Sequence, residues 1–550
     1  MNTGYLPDRI YFFLLALIGL VYIVGLFVPL MDNDSAHHAN IALHMYLNRD
    51  YVNLVDAGQP YLDKPHFLFW LCAFSYKIFG VTTFAYKFPS FCFTILGTYS
   101  TYKLGQCLYN KEVGKLAALI VSTAFAYMLA NNDVRMDAIL TACVAFSTWQ
   151  GVAFVQQKKI LHAIGLALGL ALGFSTKGHI AVVTPAVGLF FYITYLKDWK
   201  IFFDWKWIIV LLCFGAFIFP VVYCYYLQFN LHPEKIVRGM DHINGVKFIL
   251  LGQAVERLRG ESFGADAKHD YLFFFHSFLW AFAPWSILAY IAITIRVKYF
   301  SKRKVEWLTT MTFILIALLL TFSGFKLPHY LNIIFPATAV MTAAWLGNTH
   351  LKAKALYIIQ IIVCTLVLLL VAALNAWAFP VQNFLIIAGT VLLLAVVFYF
   401  LLSLQLDLLQ KSIGVSVTTM IVCFFLLNAN FYRQLLQYQG GNELAKKIKG
   451  NVDPTNVYFW NDNYSSSFNF YTATERKQFD DSLFARGKKP LWLLYDSRDS
   501  SAIKMAGYKI ELIYSAADFE ITKLDLKFIN PRTRKGELKE LIIGEITGRE

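Results

Sequence analysis

The feature that most constrains this chain is a succession of apolar runs, each close to the ~20 residues a helix needs to cross the hydrocarbon of a bilayer. Thirteen are read along the sequence, at about residues 10–30, 86–108, 113–131, 138–156, 160–176, 180–196, 206–228, 271–295, 305–323, 328–347, 355–378, 383–405 and 412–428. With 57% hydrophobic and 15% charged residues and a mean hydropathy of +0.51, a soluble globular fold is excluded. The first run is too long for a cleavable signal, and no small-residue cleavage site closes it. One further stretch, "FLFWLCAFSYKIFG" (Phe67 to Gly80), is apolar but short and reads as a re-entrant or interfacial helix.

Charge orients these spans. With thirteen crossings, one set of loops collects Arg9, Lys111, Lys115, Lys158, Lys159, Lys197, Lys200, Lys206, Arg296, Lys298, Lys302, Arg303, Lys304, Lys352, Lys354 and Lys411. The positive-inside rule makes this the cytoplasmic side, which places the N-terminus inside and the C-terminus outside. Counting 67–80 as another span would split Lys111 from Lys158 and spoil the pattern. The expected organisation is a transmembrane region, 1–435, with outer loops at 31–85 and 229–270, followed by a small soluble α/β domain at 436–550. In that last region "NVYFW", "LWLLYD", "YKIELIY" and "ITKLDLKFI" read as strands among helix-like runs.

The net charge of +14 fits cytoplasmic loops and anionic headgroups; no basic run or module points to nucleic acid. All eight cysteines lie in apolar stretches, as small buried hydrophobes, and neither a structural disulfide nor a CxxC metal site is expected.

The chemistry is read on the outer side. Lys64, Arg135, Asp137, Lys177 and Lys326 fall at helix ends where positive charge is otherwise sparse. Any one of them alone is as readily a side chain snorkelling to the headgroups. Together they put acids and bases on one face of the bundle, at a depth where ionisable groups are costly and mark functional sites. The stretch "PLMDNDSAHHANIALHMY" adds Asp32 and Asp34 just after the first span. Asp is a preferred N-cap, so taken alone either acid reads as a cap for the helix that follows. The 229–270 loop holds "VKFILLGQAVERLRG", an amphipathic helix lying on the membrane, and "GESFGADAKHD", a glycine-bearing mobile stretch.

Taken in order, these elements resemble the polyprenyl-phosphate-sugar glycosyltransferases of the GT-C class. The resemblance is to the bacterial aminoarabinose transferases that modify lipid A and to the wider protein O-mannosyltransferase-like superfamily. "DSAHHANIALHM" matches the acidic opening of the first outer loop with Asp34 at the key aspartate, and "YLDKP" matches a Tyr-x-x-Lys-Pro element with Tyr61 and Lys64. "RMDAIL" matches Arg-x-Asp-Ala (Arg135, Asp137), "FSTKGHIAVVTP" a Thr-Lys-Gly segment (Lys177), "KHDYLFFFHSFLWAFAPWS" a His-and-Pro-Trp stretch (His269), and "FSGFKLPHYLNIIFP" a Lys-Leu-Pro-x-Tyr element (Lys326, Tyr330). The matches run over residues 10 to about 340. Three positions depart: Ser35 stands for the usual Glu, His37 and His38 for Arg-Tyr, and His66 for the second Pro of Lys-Pro-Pro. They bear on the substrate more than on the reaction class.

The resemblance implies an inverting transferase in the bacterial inner membrane, with its active site and C-terminal domain in the periplasm, acting as a monomer. Its partners would be a polyprenyl-phosphate-linked sugar donor, a lipid or protein acceptor, and membrane lipids. Lys64 would bind the donor phosphate, with Arg257, Arg259 and Lys326 as further phosphate candidates. Tyr61, Arg135, Lys177, His269 and Tyr330 would line the cavity. Asp34 would take the proton of a hydroxyl acceptor, or orient a phosphate acceptor. Asp137 would position the sugar or pair with Lys64, and Asp32 would remain a helix cap. No cofactor is required. His37, His38 and His44 lack close acidic or cysteine partners and read as interfacial packing, with a divalent metal the minor alternative. The rival from another class is a transporter or flippase of a lipid-linked or anionic solute, which would show internal duplication or paired interrupted helices; neither is seen.

Overall fold

The structure, a computed structural model, describes residues 5–32, 34–259, 270–302, 305–347, 353–461, 463–475, 477–485 and 490–549. The first long loop, read as outer from the sequence, follows helix α1 (Asp8–Gly25) and holds α2 (Asp34–Asn48), a short hairpin of β1 (Val55–Asp56) and β2 (Gln59–Pro60), and α3 (Phe67–Phe79). At 13 residues α3 extends about 20 Å, short of the ~30 Å hydrocarbon core. Then come α4 (Thr83–Leu108), α5 (Lys111–Thr123), α6 (Phe125–Asn132), α7 (Asp137–Gln157), α8 (Ile160–Lys177), α9 (Ile180–Leu196) and α10 (Lys206–Tyr225). Side-chain caps start two of them: Thr82 accepts from the Ala85 N–H and Asn110 from the Val113 N–H. Close packing of α4 on α5 depends on two glycines. A Cβ on Gly105 would sit 2.9 Å from the Cα of Gly114, and one on Gly114 would sit 2.5 Å from the carbonyl oxygen of Tyr102.

Among the described residues, eight helices are long and apolar enough to span, or nine if α5 and α6, bent by 54°, form one span. The thirteen unbroken spans read from the sequence are therefore not reached by this measure, for reasons visible element by element. α4 is long but polar, with Lys87, Ser90, Thr94, Ser100 and Thr101 buried within the bundle. α9 has 17 residues and Leu308–Thr321 has 14. The run at 271–295 divides into Phe273–Ala281 and Ser286–Lys298 around Pro284. α7 is buried along nearly its whole length, whereas α10, Ala353–Ala373 and Phe384–Leu402 turn most of their apolar side chains outward, as lipid-facing helices do.

The C-terminal region carries a four-stranded sheet in the order β3 (Val457–Phe459), β4 (Trp492–Asp496), β6 (Lys539–Arg549), β5 (Tyr508–Asp518). β3 runs parallel to β4; the pairs β4–β6 and β5–β6 are antiparallel. Three of the four expected strands are present. The fourth, "ITKLDLKFI", instead forms the helical turns Ile521–Lys523 and Leu526–Ile529, because the Asp525 carboxylate caps the second by accepting from the Phe528 N–H at 2.8 Å. The place in the sheet goes to "KELIIGEITGR". That helical turn packs on the bundle: Phe528 stacks on Phe519 at 3.8 Å, and the Arg534 guanidinium lies 4.0 Å from the Phe379 ring and donates to the Ala378 carbonyl.

Candidate active site

α7 and α8 are antiparallel neighbours joined by the turn at Lys158 and Lys159, so the first residue of one meets the last residue of the other. These are Asp137 and Lys177. The Lys177 ammonium lies 2.8 Å from Asp137 Oδ1, with both side chains withdrawn from solvent. The acid sits at a helix N-terminus and the base at a helix C-terminus, so each complements the dipole of its own helix. Asp137 is thus ion-paired with Lys177. His329 Nε2 approaches the other oxygen, Asp137 Oδ2, at 3.7 Å, and the Tyr330 ring lies 4.7 Å from Lys177 Nζ.

Two residues before α7, Arg135 bridges two carboxylates. Its Nη1 donates to Asp34 Oδ2 at 2.6 Å and its Nε to Asp133 Oδ2 at 2.8 Å. Asp34 is the first residue of α2 and stays 39% exposed, in contrast to the buried Asp137. Both carboxylates act electrostatically on Arg135, so the first outer loop and the head of α7 share one charged cluster.

Beside this cluster is a cavity of about 350 Å³. Its charged lining residues are Lys64, Lys177, Arg238, Asp63, Asp137 and Glu256, and its aliphatic ones include Leu140, Ile180, Val183, Leu319, Leu320 and Ile333. Three cations and three carboxylates thus line it together. Arg238 is ion-paired with Asp63 and with Glu256, and its guanidinium lies over the Phe248 ring. Gln253 Nε2 donates to the Asp63 carbonyl at 2.6 Å. The loop after α10 thus grips Asp63, the residue before Lys64, which lines the cavity. His66 anchors the other side of Lys64. Its Nε2 lies 2.8 Å from the Val52 carbonyl, and burial pushes its pKa down to about 4, which leaves it neutral.

Of the residues expected in the site, Lys64, Asp137, Lys177 and Tyr330 line the cavity, and Asp34 and Arg135 adjoin it. Two do not reach it. Tyr61 packs edge-on against His37 and Phe69, and Lys326 donates to the Asp270 carbonyl over the Tyr271 ring. Their motif neighbours, Asp63 and Tyr330, take the cavity-facing places. His269 and the mobile stretch expected at 260–270 fall, except for Asp270, outside the described residues; so do the side chains of Arg257 and Arg259, whose backbone lies in Gln253–Arg259. Asp32 is not a cap: its carboxylate accepts from Ser467 N and Oγ of the C-terminal region, at 2.8 and 2.6 Å.

Asp63, Asp133, His179, Arg238, Glu256 and His329 are the charged or titratable residues at the site that motif reading missed. Asp63 and His329 sit inside matched motifs, and Asp133 lies two residues from one. Arg238 and Glu256 carry no motif, and only folding of the second outer loop brings them in. His37 pairs with Asp56 at 2.9 Å and stacks on the buried His38 with ring centroids 5.4 Å apart. Burial drives the His38 pKa well below its ordinary value. Among the described residues no three His, Cys, Asp or Glu side chains converge as a metal ligand set.

Comparison with known proteins follows the same lines. Residues 63–224 match the family model described as dolichyl-phosphate-mannose-protein mannosyltransferase. An undecaprenyl phosphate-alpha-4-amino-4-deoxy-L-arabinose arabinosyl transferase of Wigglesworthia glossinidia brevipalpis is 23% identical over 62% of this chain and 59% of its own length. One from Pseudomonas aeruginosa is 25% identical over 58% of this chain and 56% of its own. The chain thus spans under two thirds of the length of these two relatives. The crystal structure of ArnT from Cupriavidus metallidurans bound to undecaprenyl phosphate superposes with a TM-score of 0.74 at 14% identity, over 96% of this chain and 97% of that one. An Archaeoglobus fulgidus oligosaccharyltransferase matches with a TM-score of 0.51 at 10% identity, over 91% of this chain and 73% of that one. The fold is that of a polytopic α-helical membrane protein of GT-C type with a small C-terminal sheet, and the sequence likeness to aminoarabinose transferases extends over about 60% of the chain.

Proposed function

We propose that this protein is a glycosyltransferase that moves a sugar from a polyprenyl-phosphate donor to an acceptor at the outer face of the bacterial inner membrane. The observation that carries this reading is the mixed lining of the cavity, which brings Lys64, Lys177 and Arg238 together with aliphatic side chains including Leu140, Ile180, Val183 and Leu320. That pairing suits a ligand with a phosphate at one end and a hydrocarbon chain at the other. The relatives named above are described as acting with undecaprenyl phosphate-linked aminoarabinose, which makes this sugar and a lipid A-like acceptor the first to test, with a protein acceptor second.

The chemistry follows from where charge develops. As the bond from the anomeric carbon to the phosphate oxygen breaks, negative charge grows on the phosphate, and cations already held in place offset it without reorganising. Arg238 and Lys177 are held in this way by Asp63, Glu256 and Asp137. Lys64, carried by the loop that Arg238 anchors, presents a further ammonium to the same cavity. The three carboxylates balance the three cations, so the phosphate enters by competing with a carboxylate, with Glu256 the more peripheral of the two on Arg238. Asp34, half-exposed and oriented by Arg135, is placed to accept the proton of a hydroxyl acceptor or to orient a phosphate acceptor. The orientation, with N-terminus inside and C-terminal region outside, rests on the lysine-rich loops of one side.

The test is transfer itself. Membranes carrying the wild type, Asp34→Asn or Lys64→Ala would receive labelled polyprenyl-phosphate aminoarabinose with lipid A or a protein acceptor. Label should reach the acceptor with the wild type, be nearly lost with Asp34→Asn, and fall about tenfold with Lys64→Ala at donor concentrations below KM. Undiminished transfer by Asp34→Asn removes Asp34 from the reaction. Label carried across the bilayer without transfer to any acceptor would replace the reading with a flippase.

A further inference from the structure

The peptide that carries Asp34 is gripped from the C-terminal region at several points. The Leu30 N–H donates to the Tyr471 hydroxyl at 2.9 Å. The amide of Gln439 reads the next turn of backbone twice: its Nε2 donates to the Leu30 carbonyl at 2.9 Å, and its Oε1 accepts from the Asp32 N–H at 2.7 Å. The Asp32 carboxylate accepts from Ser467 N and Oγ. Beyond Asp34, Asn40 of α2 donates to the Ser466 carbonyl at 2.8 Å. Between the helix Ser466–Thr472 and the first outer loop, Phe470 is buried with its ring 6.1 Å from that of Tyr76 and 6.4 Å from that of Tyr86. Asp34 lies inside this span, and its carboxylate meets Arg135.

Apolar contact through Phe470 would be enough to hold a soluble domain against a bundle. Burying a carboxylate and a carboxamide there as well adds a desolvation cost that is offset only when every bond is made. What directional bonds supply beyond cohesion is a fixed register, and the register fixed here is that of the turn two residues ahead of Asp34. We propose that the C-terminal region is a clamp on the first outer loop, acting through Gln439, Ser467 and Asp32, and that it positions the Asp34 carboxylate for transfer. Asp32 is then a positioning residue, two places from the residue it serves. This inference rests on the role given to Asp34 under the proposed function.

The experiment uses the full chain in detergent or nanodiscs. It compares the wild type with Asp32→Ala, Ser467→Ala and the conservative Asp32→Asn, whose amide still accepts from Ser467 N and can donate to Ser467 Oγ. Turnover, donor KM, melting temperature and amide exchange over residues 34–40 are measured on each. A misplacement of about 1 Å costs on the order of a hundredfold in rate. The clamp therefore predicts kcat lowered about 10- to 100-fold in both Ala variants, donor KM within about threefold of wild type, faster exchange over 34–40, and recovery in Asp32→Asn. Ser467→Ala, altered far from the loop itself, keeps the test valid if Asp32→Ala fails to fold. Turnover unchanged in the Ala variants, or lowered with exchange over 34–40 unchanged, overturns the clamp. A wild type that transfers no sugar overturns the functional reading and the positioning role with it; an active wild type with indifferent variants removes the clamp alone.

Discussion

Lys177 Nζ and Asp137 Oδ1 meet at 2.8 Å with their side chains only 8% and 3% exposed, an ion pair closed off from water at the junction of α7 and α8. Removing one member of such a pair strands the other charge, at a cost of about 3–5 kcal/mol, whereas replacing both is far milder. Lys177→Met and Asp137→Asn should each lower the melting temperature of the detergent-solubilised protein. The double variant should recover most of that loss without recovering transfer. Single variants as stable as wild type would show that the pair is hydrated.

Asp34 differs in kind, because its exposure leaves it little structural work. Asp34→Asn should preserve melting temperature and donor binding while lowering turnover about 10²- to 10⁴-fold, the range of a positioned general base. With a phosphate acceptor, already ionised, the loss should be smaller than with a hydroxyl acceptor. Parallel assays with the two acceptor types check this directly.

Arg238 holds Lys64 in place through Asp63, so the two should behave as a unit. Lys64→Ala and Arg238→Ala should each weaken donor binding about tenfold, roughly 1.4 kcal/mol. The double variant should lose less than the sum, as expected of residues in one network. Arg238→Lys should not restore binding, because a point charge cannot hold Asp63 and Glu256 together as a guanidinium fork does. Donor-binding titrations on the four proteins decide this.

Asp32 gives the C-terminal contact a pH dependence. Burial raises its pKa to about 6, against the lowering effect of the Ser467 bonds, with Asp518 adding to the rise. A folded-state pKa above the unfolded one means that the folded protein holds the proton more tightly. The stability from this group is thus complete below its ordinary value of 3.8 and is lost as pH rises through about 6. Asp32→Asn mimics the protonated form. Its melting temperature should exceed that of wild type at pH 7.5, and the gap should close between pH 6 and pH 4. A gap that does not vary with pH would show that Asp32 does not titrate in this range.

The sequence made the membrane class and much of the site legible because both are written locally. An apolar run near 20 residues reads as a span wherever it occurs, and Lys64, Arg135, Asp137, Lys177 and Tyr330 stand in short motifs at helix ends. What it hid is set by partners far along the chain. Arg238 and Glu256 belong to a loop with no motif, and they matter only because that loop folds over Asp63. Asp32 looks like a cap from its neighbours, and only Ser467 shows otherwise. The strand Lys539–Arg549 was passed over in favour of "ITKLDLKFI", whose alternation is as good but whose Asp525 turns it into a helix. The helix count differs from the length-and-hydropathy measure in a similar way: hydropathy does not register that the lysine and hydroxyls of the 26-residue α4 are buried inside the bundle.

The distance along the chain between Asp32 and Ser467 is 435 residues, and the strand β6 that completes the C-terminal sheet enters between β4 and β5 after both have been made. Neither contact can form in the order of synthesis. The loop that carries Asp32 is synthesised long before the residues that fix it exist, and the sheet cannot zip up strand by strand. Contacts this distant in sequence form late. On the clamp reading, competence for transfer would be acquired at the close of biogenesis, and a partly inserted chain would sit in the membrane chemically silent, its reacting carboxylate not yet aimed.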